Sequence, residues 1–393
     1  MRILFVADGR SPIALNWIAY FVEQGHEVHL ASTFPAQPNL ALASLEIVPT
    51  AFSSLKANNA SNKVKKRETG WKALLWGGTT VRLRTALRQW LGPITLSASA
   101  RHLQAVIDRV QPDLVHAMRI PYEGMIAALA HPDTPLLISV WGNDFTLHAV
   151  SNPFMRRLTR LTLQGAQALH TDCRRDQRLA YAWGFPAENL TIVLPGAGGI
   201  QTELFFPADE ATAPCVINPR GFRAYLRNDT FFRSIPLVLR QRPEVRFICP
   251  SMAGDSRALR WLDELGIQEA VDLLPNQPRS QMGVLFRKAQ VAVSPSTHDG
   301  TPNTLLEAMA CGCFPIAGDI ESIREWITPG VNGLLVDPAD PQALAEAILQ
   351  ALADPEIRRR ARIQNTRLIA EKAEYRRVMQ TAEQFYRQIL AAA

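Results

Sequence analysis

Short apolar runs rich in β-branched residues alternate with amphipathic segments along the whole chain. Runs such as Ile3–Ala7, Leu136–Val140 and Val245–Cys249 predict buried strands, because parallel strands that are covered on both faces show continuous apolar stretches. The segments between them carry apolar residues at helical spacing, as in Asn152–Gln164. This alternation of strand and helix predicts an α/β protein with parallel sheets and helices on both faces.

The pattern occurs twice, and a Gly- and Pro-rich stretch, Pro195–Pro207, separates the two halves. In the first half the predicted strands are Ile3–Ala7, Glu27–Ala31, Leu45–Pro49, Asp113–Ala117, Leu136–Val140, Ala168–Thr171 and Ile192–Leu194, and the predicted helices are Asn16–Gln24, Ala98–Val110, Tyr122–Ala130 and Asn152–Gln164. In the second half the predicted strands are Cys215–Asn218, Val245–Cys249, Val271–Leu274, Gln290–Ser294 and Phe314–Ala317, and the predicted helices are Thr230–Arg240, Arg257–Leu265, Gly283–Ala289, Ser322–Ile327, one that starts at Asp340-Pro341, and Tyr375–Leu390. We therefore predict two doubly wound, Rossmann-like domains at 1–195 and 211–372, joined by a hinge at 196–210. A C-terminal helix at 373–393 is expected to pack back on the first domain.

The segment 294–327 carries the strongest local signal for a binding site. A predicted strand ends at Ser294 and leads into a loop that holds Asp299. A helix is predicted to follow, with Thr301 as its N-cap, Pro302 at its first position and Gly312 just past its end. The free N–H groups and partial positive charge of a helix N-terminus bind phosphate readily. The loop and helix start therefore predict a site for a phosphate-bearing ligand.

A second carboxylate, Glu307, is predicted on the same helix. Thr304 and Glu307 are i, i+3 neighbours and share one face, while the apolar residues of the helix point elsewhere. The alternative interpretation is an ordinary strand–helix turn with a solvated Asp299 and a surface Glu307.

Composition limits the class of protein. The chain has 393 residues, of which 47% are hydrophobic and 20% charged, so a large buried core in each of two domains is possible. It has no apolar run of about 18 residues, so no membrane-spanning helix is expected, and the opening MRILFVAD predicts a strand rather than a signal peptide. The five cysteines are scattered, which predicts reduced thiols in a cytoplasmic protein rather than a zinc site or a disulfide framework.

The net charge of +6 is unevenly distributed. Residues 61–101 contain nine Lys or Arg and one acidic residue, Glu68, together with several tryptophans and a helical apolar stripe. Basic, Trp-rich amphipathic segments lie on anionic membrane surfaces, so one interpretation is peripheral attachment to the inner face of the membrane through 61–101. The other interpretation is a helix packed on its domain with a solvated basic face. Nucleic-acid binding is not expected, because no reader motif accompanies the basic cluster.

The segment 294–327 also resembles the signature of a known family. It reads Asp299, seven residues, Glu307, and then AMACG at 308–312. This resembles the signature of family 4 of the retaining glycosyltransferases (glycosyl transferases group 1), in which a Glu occupies the first carboxylate position. The resemblance implies the GT-B fold, two Rossmann-like domains that face each other across a cleft. It also implies transfer of a sugar from a nucleotide-sugar donor to a hydroxyl of a glycan or lipid-linked acceptor, with retention of the anomeric configuration. No metal or other cofactor is expected, because no DxD-like cluster stands at a suitable predicted strand end and a helix N-terminus with arginines can stabilise the departing diphosphate.

Other fragments are similar to the same family. The opening strand and helix keep Gly9 where many members have a glycine pair. The stretch PDLVHA at 112–117 keeps His116, while Met118 stands where members have a second histidine. The stretch VWGND at 140–144 places Asp144 at the end of a predicted strand. The similarity covers nearly the whole chain and is weakest over 50–100, where the acceptor region is expected.

The resemblance implies a set of site residues. Glu307 is expected to accept hydrogen bonds from the donor ribose, and Asp299 with the amides of Gly300–Asn303 to hold the sugar. The donor diphosphate is expected to contact Thr304 and arginines after the first strand of the second domain, for which Arg220, Arg223 and Arg227 are candidates and Arg223 and Arg227 are preferred. The predicted donor-side and catalytic residues are Gly9, His116, Asp144, Arg223, Arg227, Asp299, Gly300, Thr301, Asn303, Thr304 and Glu307. For His116 the alternative is a hydrogen-bonded structural histidine, and for Asp144 it is a helix-capping carboxylate.

Three departures from the family pattern leave other functions open. These are Asp299, Met118 and Glu321-Ser322, the last in place of a glycine pair. They motivate one alternative function, a protein that binds a nucleotide sugar but no longer catalyses transfer. A sugar-nucleotide epimerase on the same fold is a further alternative. A phosphorylase needs a lysine for pyridoxal phosphate, and the second half offers only Lys288 and Lys372. A nicotinamide dehydrogenase is disfavoured, because no GxGxxG motif follows the first strand.

Overall fold

The computed structural model describes residues 1–50, 79–130, 133–208, 213–223 and 225–393, with the backbone alone over 79–94. The described chain forms two compact units. The first unit comprises Met1–Asp172, Asp176–Ala197 and Thr381–Ala393, and the second comprises Cys173–Arg175 and Gly198–Gln380.

The first unit is built on a seven-stranded sheet in the order β3-β2-β1-β4-β5-β6-β7, with every pairing parallel. Its strands are β1 (Arg2–Ala7), β2 (Glu27–Ser32), β3 (Ser44–Ile47), β4 (Leu114–Ala117), β5 (Leu136–Val140), β6 (Ala168–Thr171) and β7 (Leu190–Val193). Its helices are α1 (Pro12–Glu23), α2 (Thr79–Val110), α3 (Met125–Ala130), α4 (Pro153–Gln164) and most of α5 (Arg174–Trp183). The side chains of Ile3–Ala7 are all inaccessible to solvent, as expected for a central strand that is covered on both faces.

The second unit is built on a six-stranded sheet in the order β10-β9-β8-β11-β12-β13, again with every pairing parallel. Its strands are β8 (Cys215–Ile217), β9 (Arg246–Cys249), β10 (Val271–Leu273), β11 (Val291–Ser294), β12 (Phe314–Gly318) and β13 (Leu334–Val336). Its helices are α6 (Asn228–Leu239), α7 (Ser256–Leu265), α8 (Arg279–Lys288), α9 (Asn303–Ala310), α10 (Pro341–Ala353) and α11 (Pro355–Lys372). The last helix, α12 (Tyr375–Ala392), begins in the second unit, and its residues from Thr381 belong to the first.

Each face of the second sheet packs into its own apolar core. Val291 and Val293 of β11 join one core together with Phe231 of α6. Ala292, which points to the opposite face, joins another core together with Leu305 of α9. Helices therefore cover both faces, and the predicted pair of doubly wound parallel sheets is confirmed.

Several predicted boundaries were wrong. Helix α1 begins at Pro12 rather than Asn16, because Ser11 caps it by accepting a hydrogen bond from the Ala14 N–H. The predicted helix Ala98–Val110 and the helical stripe predicted within 61–101 belong to one helix, since α2 is continuous over Thr79–Val110. The predicted helix 322–327 is a 3₁₀ turn of three residues. Helices α5 and α11 were not predicted at all.

Candidate functional site

The second sheet changes winding direction between β8 and β11. The chain runs from β8 to β9 and β10 on one side and then returns to place β11 on the other side of β8. In doubly wound sheets, ligands bind at this switch point, beside the carboxyl ends of the strands. The loops that follow β8, β11 and β12 all leave the sheet at this edge and carry Arg220, Asp299 and Ser322 respectively.

The side chains of Arg220 and Asp299 form an ion pair at this edge, and they are 12% and 10% exposed. Arg220 Nη1 also donates to Ser296 Oγ at 3.3 Å, and Arg220 Nη2 donates to Tyr225 Oη at 3.4 Å. Ser296 Oγ in turn donates to Asp299 Oδ2 at 3.1 Å. Arg220 therefore ties the loop after β8 to the loop after β11.

The environment of Arg220 keeps its guanidinium charged. Burial by itself lowers the pKa of Arg220, but the negative charge of Asp299 and the Tyr225 hydroxyl more than offset it, so that the pKa is raised above its ordinary value. The side chains of the two preferred arginines of the sequence make other contacts, although the Arg227 N–H donates to the Pro295 carbonyl in the loop after β11 at 3.0 Å. Arg223 is exposed, and Arg227 is bonded to Asp229 at 2.9 and 2.8 Å. Of the three candidate arginines, Arg220 is the one whose side chain is bonded to Asp299 at the switch point.

The loop that carries Asp299 is supported from β12. The buried Ser322 hydroxyl donates to the Asp299 backbone carbonyl at 2.6 Å. At the end of β12, a Cβ on Gly318 would lie 2.2 Å from the carbonyl oxygen of Ser296. The chain therefore requires glycine at 318, and Ser322, which departs from the family's glycine pair, holds the site loop in place.

Helix α9 begins at Asn303, one position later than predicted. Pro302 is its N-cap residue with φ −82° and ψ 80°, and no side chain caps the helix, so the prediction that Thr301 is the N-cap was wrong. The physical reason is a tight turn in which the Asn303 N–H donates to the Thr301 carbonyl at 3.0 Å. That N–H is therefore engaged within the chain. The predicted end of the helix is confirmed, because Gly312, directly after the C-cap residue Cys311, has φ +93°.

The predicted donor residues around this helix start differ in exposure. Gly300 and Thr301 are buried, whereas Asn303 and Thr304 are partly exposed. Both partly exposed residues lie in the first turn of α9, so they are the ones that a ligand at the helix N-terminus can reach.

Glu307 lies further along α9 and pairs with a residue that the sequence did not indicate. Arg279, at the start of α8, donates to Glu307 Oε1 at 3.0 Å, and its guanidinium lies 5.3 Å from the ring of Phe205. Burial raises the pKa of Glu307, and the attraction of Arg279 opposes this only in part, so that the pKa is about 7. Arg279 could not be found from sequence, since nothing local links it to a residue two elements away.

In the first unit the switch point lies between β1 and β4, and Gly9 follows β1 there. The Gly9 N–H donates to Ser32 Oγ at 3.0 Å. A Cβ on Gly9 would lie 2.8 Å from Ser32 Oγ and 2.9 Å from the Cβ of Ala36. The glycine therefore allows the loop after β1 to pack closely against the end of β2 and the residues that follow it.

Asp144 organises the loop after β5. Its side chain is fully buried, and it accepts hydrogen bonds from Arg119 Nη2 at 2.6 Å and from the N–H groups of Ile120 and Trp141 at 3.1 and 3.2 Å. These contacts join two loops at one edge of the sheet. They favour a structural role for the carboxylate, which is paired with the partly exposed Arg119.

His116 is completely buried and both of its ring nitrogens are engaged. Nδ1 is bonded to the Tyr386 hydroxyl, and Nε2 lies 2.7 Å from Ser139 Oγ. The serine continues the chain of hydrogen bonds to His170 at 2.8 Å. Burial lowers the pKa of His116 well below its ordinary value, so the ring is neutral. These contacts favour the alternative of a structural histidine over direct contact with a ligand.

The predicted basic segment 61–101 falls mostly outside the described residues, which resume at 79 for the backbone and at 95 for the side chains. Within the part of the chain that the structure describes, no helix combines the length and the apolar character needed to cross a bilayer.

Two family models match the chain. The model described as "Glycosyl transferase 4-like domain" matches residues 9–196, and the model described as "Glycosyl transferases group 1" matches residues 218–368. The two matches fall on successive halves of the chain, and the second contains the Arg220–Asp299 pair and helix α9.

Curated relatives include two D-inositol 3-phosphate glycosyltransferases. The protein from Thermobispora bispora is 30% identical over 191 residues, which cover 44% of this chain and 44% of the relative. The protein from Thermobifida fusca is 25% identical over 309 residues, which cover 70% of this chain and 69% of the relative. The chain thus spans less than half of the length of the first relative.

Solved structures with a similar fold cover the whole chain. Sucrose-phosphate synthase from Thermosynechococcus elongatus matches with a TM-score of 0.75 and 16% identity, covering 100% of both chains. The Anabaena protein HepE, solved in complex with UDP-glucose, matches with a TM-score of 0.71 and 16% identity, covering 99% of this chain and 100% of that one. At such identities the likeness shows the fold alone.

Proposed function

Because the chain belongs to the group 1, family 4 type of glycosyltransferases with the GT-B fold, we propose that it transfers a sugar from a nucleotide-sugar donor to an acceptor hydroxyl. The observation that carries the proposal is the buried Arg220–Asp299 pair at the switch point of the second unit. The matches to proteins named as glycosyltransferases, and to HepE solved with UDP and UDP-glucose, support a nucleotide-sugar donor.

Arg220 and the start of α9 bind the donor diphosphate in this proposal. A guanidinium suits phosphate oxygens, and the first turn of α9 adds the Thr304 N–H and the partial positive charge of the helix N-terminus, while the Asn303 and Leu305 N–H groups are bonded within the chain. Together they stabilise the negative charge that grows on the departing diphosphate. The proposal needs no metal for this purpose. Arg223 and Arg227 take secondary positions, since Arg220 is the one of the three whose side chain is bonded to Asp299 at the switch point, whereas Arg227 is paired with Asp229.

The two carboxylates of the signature hold the rest of the donor. Asp299 is fixed by Arg220 and Ser296 and accepts hydrogen bonds from sugar hydroxyls. Glu307 accepts from the ribose hydroxyls, while Arg279 holds its other carboxylate oxygen. Because burial raises the pKa of Glu307 to about 7, we expect donor affinity to increase as the pH rises through this value and the carboxylate ionises.

The proposed transfer proceeds with retention. The bond between the anomeric carbon and the phosphate oxygen breaks, and a bond between that carbon and the acceptor oxygen forms on the same face. The acceptor hydroxyl gives its proton to the leaving phosphate oxygen. The His116 ring is buried with both nitrogens hydrogen-bonded, which supports a mechanism in which His116 is not the base. The acceptor is a hydroxyl of a glycan or of a lipid-linked sugar.

Release of the nucleoside diphosphate tests the proposal. The full chain is incubated with UDP-, GDP-, ADP-, CDP- and TDP-sugars, each with and without hydroxyl acceptors. Release that depends on the acceptor, and that is lost in Arg220→Met but kept in Arg223→Met, supports transfer at this site. Binding of a donor without release under any condition indicates a protein that has lost turnover, and conversion of the donor without acceptor indicates an epimerase. The anomeric proton coupling of the product by NMR distinguishes retention from inversion.

A further inference from the structure

Tyr225, in the loop after β8, is anchored to the loop after β11. Its carbonyl accepts hydrogen bonds from the Thr297 N–H at 2.9 Å and from Thr297 Oγ1 at 3.1 Å. The next residue, Leu226, forms an isolated antiparallel bridge with Ser296. Both partners belong to the loop that carries Asp299. The backbone of Tyr225 is therefore fixed relative to the loop that holds the site carboxylate.

The hydroxyl of Tyr225 contacts the guanidinium of Arg220. Arg220 Nη2 donates to Tyr225 Oη at 3.4 Å, and the guanidinium carbon lies 5.5 Å from the centre of the tyrosine ring. A guanidinium carries only donors, so the hydroxyl oxygen accepts in this contact and its own proton is left for another acceptor. Among the described residues none accepts that proton. Because the side chain is partly exposed, the O–H group can donate to a ligand.

Arg220 also has a donor that the chain does not use. The Asp299 carboxylate lies across Nη1 and Nη2 and occupies the edge of the guanidinium between them. The neighbouring edge consists of Nε–H and the second hydrogen of Nη2, the nitrogen that contacts Tyr225. Within the part of the chain that the structure describes, Nε–H has no hydrogen-bond partner. A ligand oxygen that accepts from Nε–H therefore lies beside the Tyr225 hydroxyl.

We propose that the Tyr225 hydroxyl and Arg220 Nε–H together bind the phosphate next to the donor sugar, which is the β-phosphate of a nucleoside diphosphate. In the proposed function, on which this inference rests, Asp299 holds the sugar and Arg220 holds the diphosphate. Because Asp299 and Arg220 are bonded to each other, the phosphate that reaches Arg220 is the one that adjoins the sugar. The hydroxyl adds a hydrogen bond to a charged oxygen, at a place where the guanidinium shares its charge with Asp299.

Titration calorimetry with nucleotides tests the inference on the full chain. The ligands are UDP, GDP, ADP, CDP and TDP, together with the corresponding nucleoside monophosphates, which lack the β-phosphate. Tyr225→Phe removes the hydroxyl and keeps the ring beside Arg220. The control is Tyr181→Phe, which removes the hydroxyl of an exposed tyrosine (39%) on α5, in the first unit. Denaturant unfolding measures the stability of both variants.

We expect Tyr225→Phe to bind the diphosphate that the wild type prefers at least about tenfold more weakly than the wild type does. This is the loss expected for one hydrogen bond to a charged group. The affinity of Tyr225→Phe for the monophosphate and its stability should be those of the wild type. Tyr181→Phe should match the wild type in all three measurements.

The inference is overturned if Tyr225→Phe binds the diphosphate as tightly as the wild type does, or if it binds the monophosphate more weakly to the same extent. It is also overturned if Tyr225→Phe is as unstable as Arg220→Met, because the hydroxyl then acts by holding Arg220 and not by contacting the phosphate. These three results leave the proposed function intact. If the wild type binds none of the five diphosphates, the proposed donor site is wrong together with this inference.

Discussion

Replacing Glu307 with Gln should stabilise the protein more at pH 8 than at pH 5. Glu307 is 8% exposed, and burial raises its pKa from the ordinary 4.5 to about 7, although Arg279 attracts its charged form. Below pH 4.5 the carboxyl group is protonated in both the native and the unfolded state. Between 4.5 and 7 the unfolded chain releases this proton while the native protein keeps it. Stability therefore falls over this interval, and the loss is complete above pH 7.

The size of the effect follows from the two pKa values. A tenfold change in an ionisation equilibrium corresponds to about 1.4 kcal/mol. The difference between a pKa of 4.5 in the unfolded chain and about 7 in the native protein therefore lowers the free energy of unfolding by roughly 3 kcal/mol at pH 8. At pH 5 the same difference lowers it by less than about 1 kcal/mol. Glutamine has nearly the shape of the protonated acid and does not ionise. Its stabilising effect should be larger at pH 8 than at pH 5 by roughly 2 to 3 kcal/mol.

Denaturant unfolding of the wild type and Glu307→Gln at the two pH values measures this difference. Glu264→Gln, at an exposed carboxylate of α7, serves as the control and should show no such dependence on pH. If Glu307→Gln changes the free energy of unfolding equally at both pH values, or destabilises the protein more at pH 8, then the buried environment assigned to Glu307 is wrong.

Three further changes test other parts of the structure. Arg220→Met should lower the free energy of unfolding by about 3 kcal/mol, because it leaves a buried carboxylate without its partner, whereas Arg223→Met at an exposed position should change it by less than about 0.5 kcal/mol in the same denaturant titration. Gly318→Ala should lower the melting temperature clearly, since the new Cβ would lie 2.2 Å from a carbonyl oxygen; Gly165→Ala, where the nearest atom would be at 3.4 Å, should not. Burial lowers the pKa of His170 to about 4, so wild-type stability should fall as the pH decreases from 6.5 towards 4, because the unfolded chain takes up a proton that the native protein excludes. His170→Gln should lose less stability over that interval, and equal losses in thermal scans would contradict this.

The fold could be predicted because its signal is local. Strands such as Ile3–Ala7 are apolar throughout, and the helices between them mostly have one apolar face. Helix α11 was missed because charged residues surround its few apolar positions, in the sequence PEIRRRARIQNTRLIAEK. The start of α9 was misplaced because the turn at Thr301–Pro302 resembles a cap in sequence, while its backbone takes a different path.

The site was only partly predictable, because its contacts join distant residues. The signature gave Asp299 and Glu307 directly. The choice among Arg220, Arg223 and Arg227 depends on the path of the loop after β8, which no spacing rule encodes. His116 is bonded to Tyr386, which lies 270 residues further along the chain, so its engagement could not be seen from its own neighbourhood.

Thermal stabilisation by nucleotide sugars tests the central claim most directly. Wild type, Arg220→Met and Arg223→Met are compared with the same panel of UDP-, GDP-, ADP-, CDP- and TDP-sugars. A ligand at about 100 times its dissociation constant stabilises the native state by about 2.7 kcal/mol, a readily measured change. We expect one donor to stabilise the wild type and Arg223→Met and to leave Arg220→Met unchanged. If no donor stabilises the wild type, or if Arg220→Met is stabilised to the same extent, the donor site is not at the switch point of the second unit.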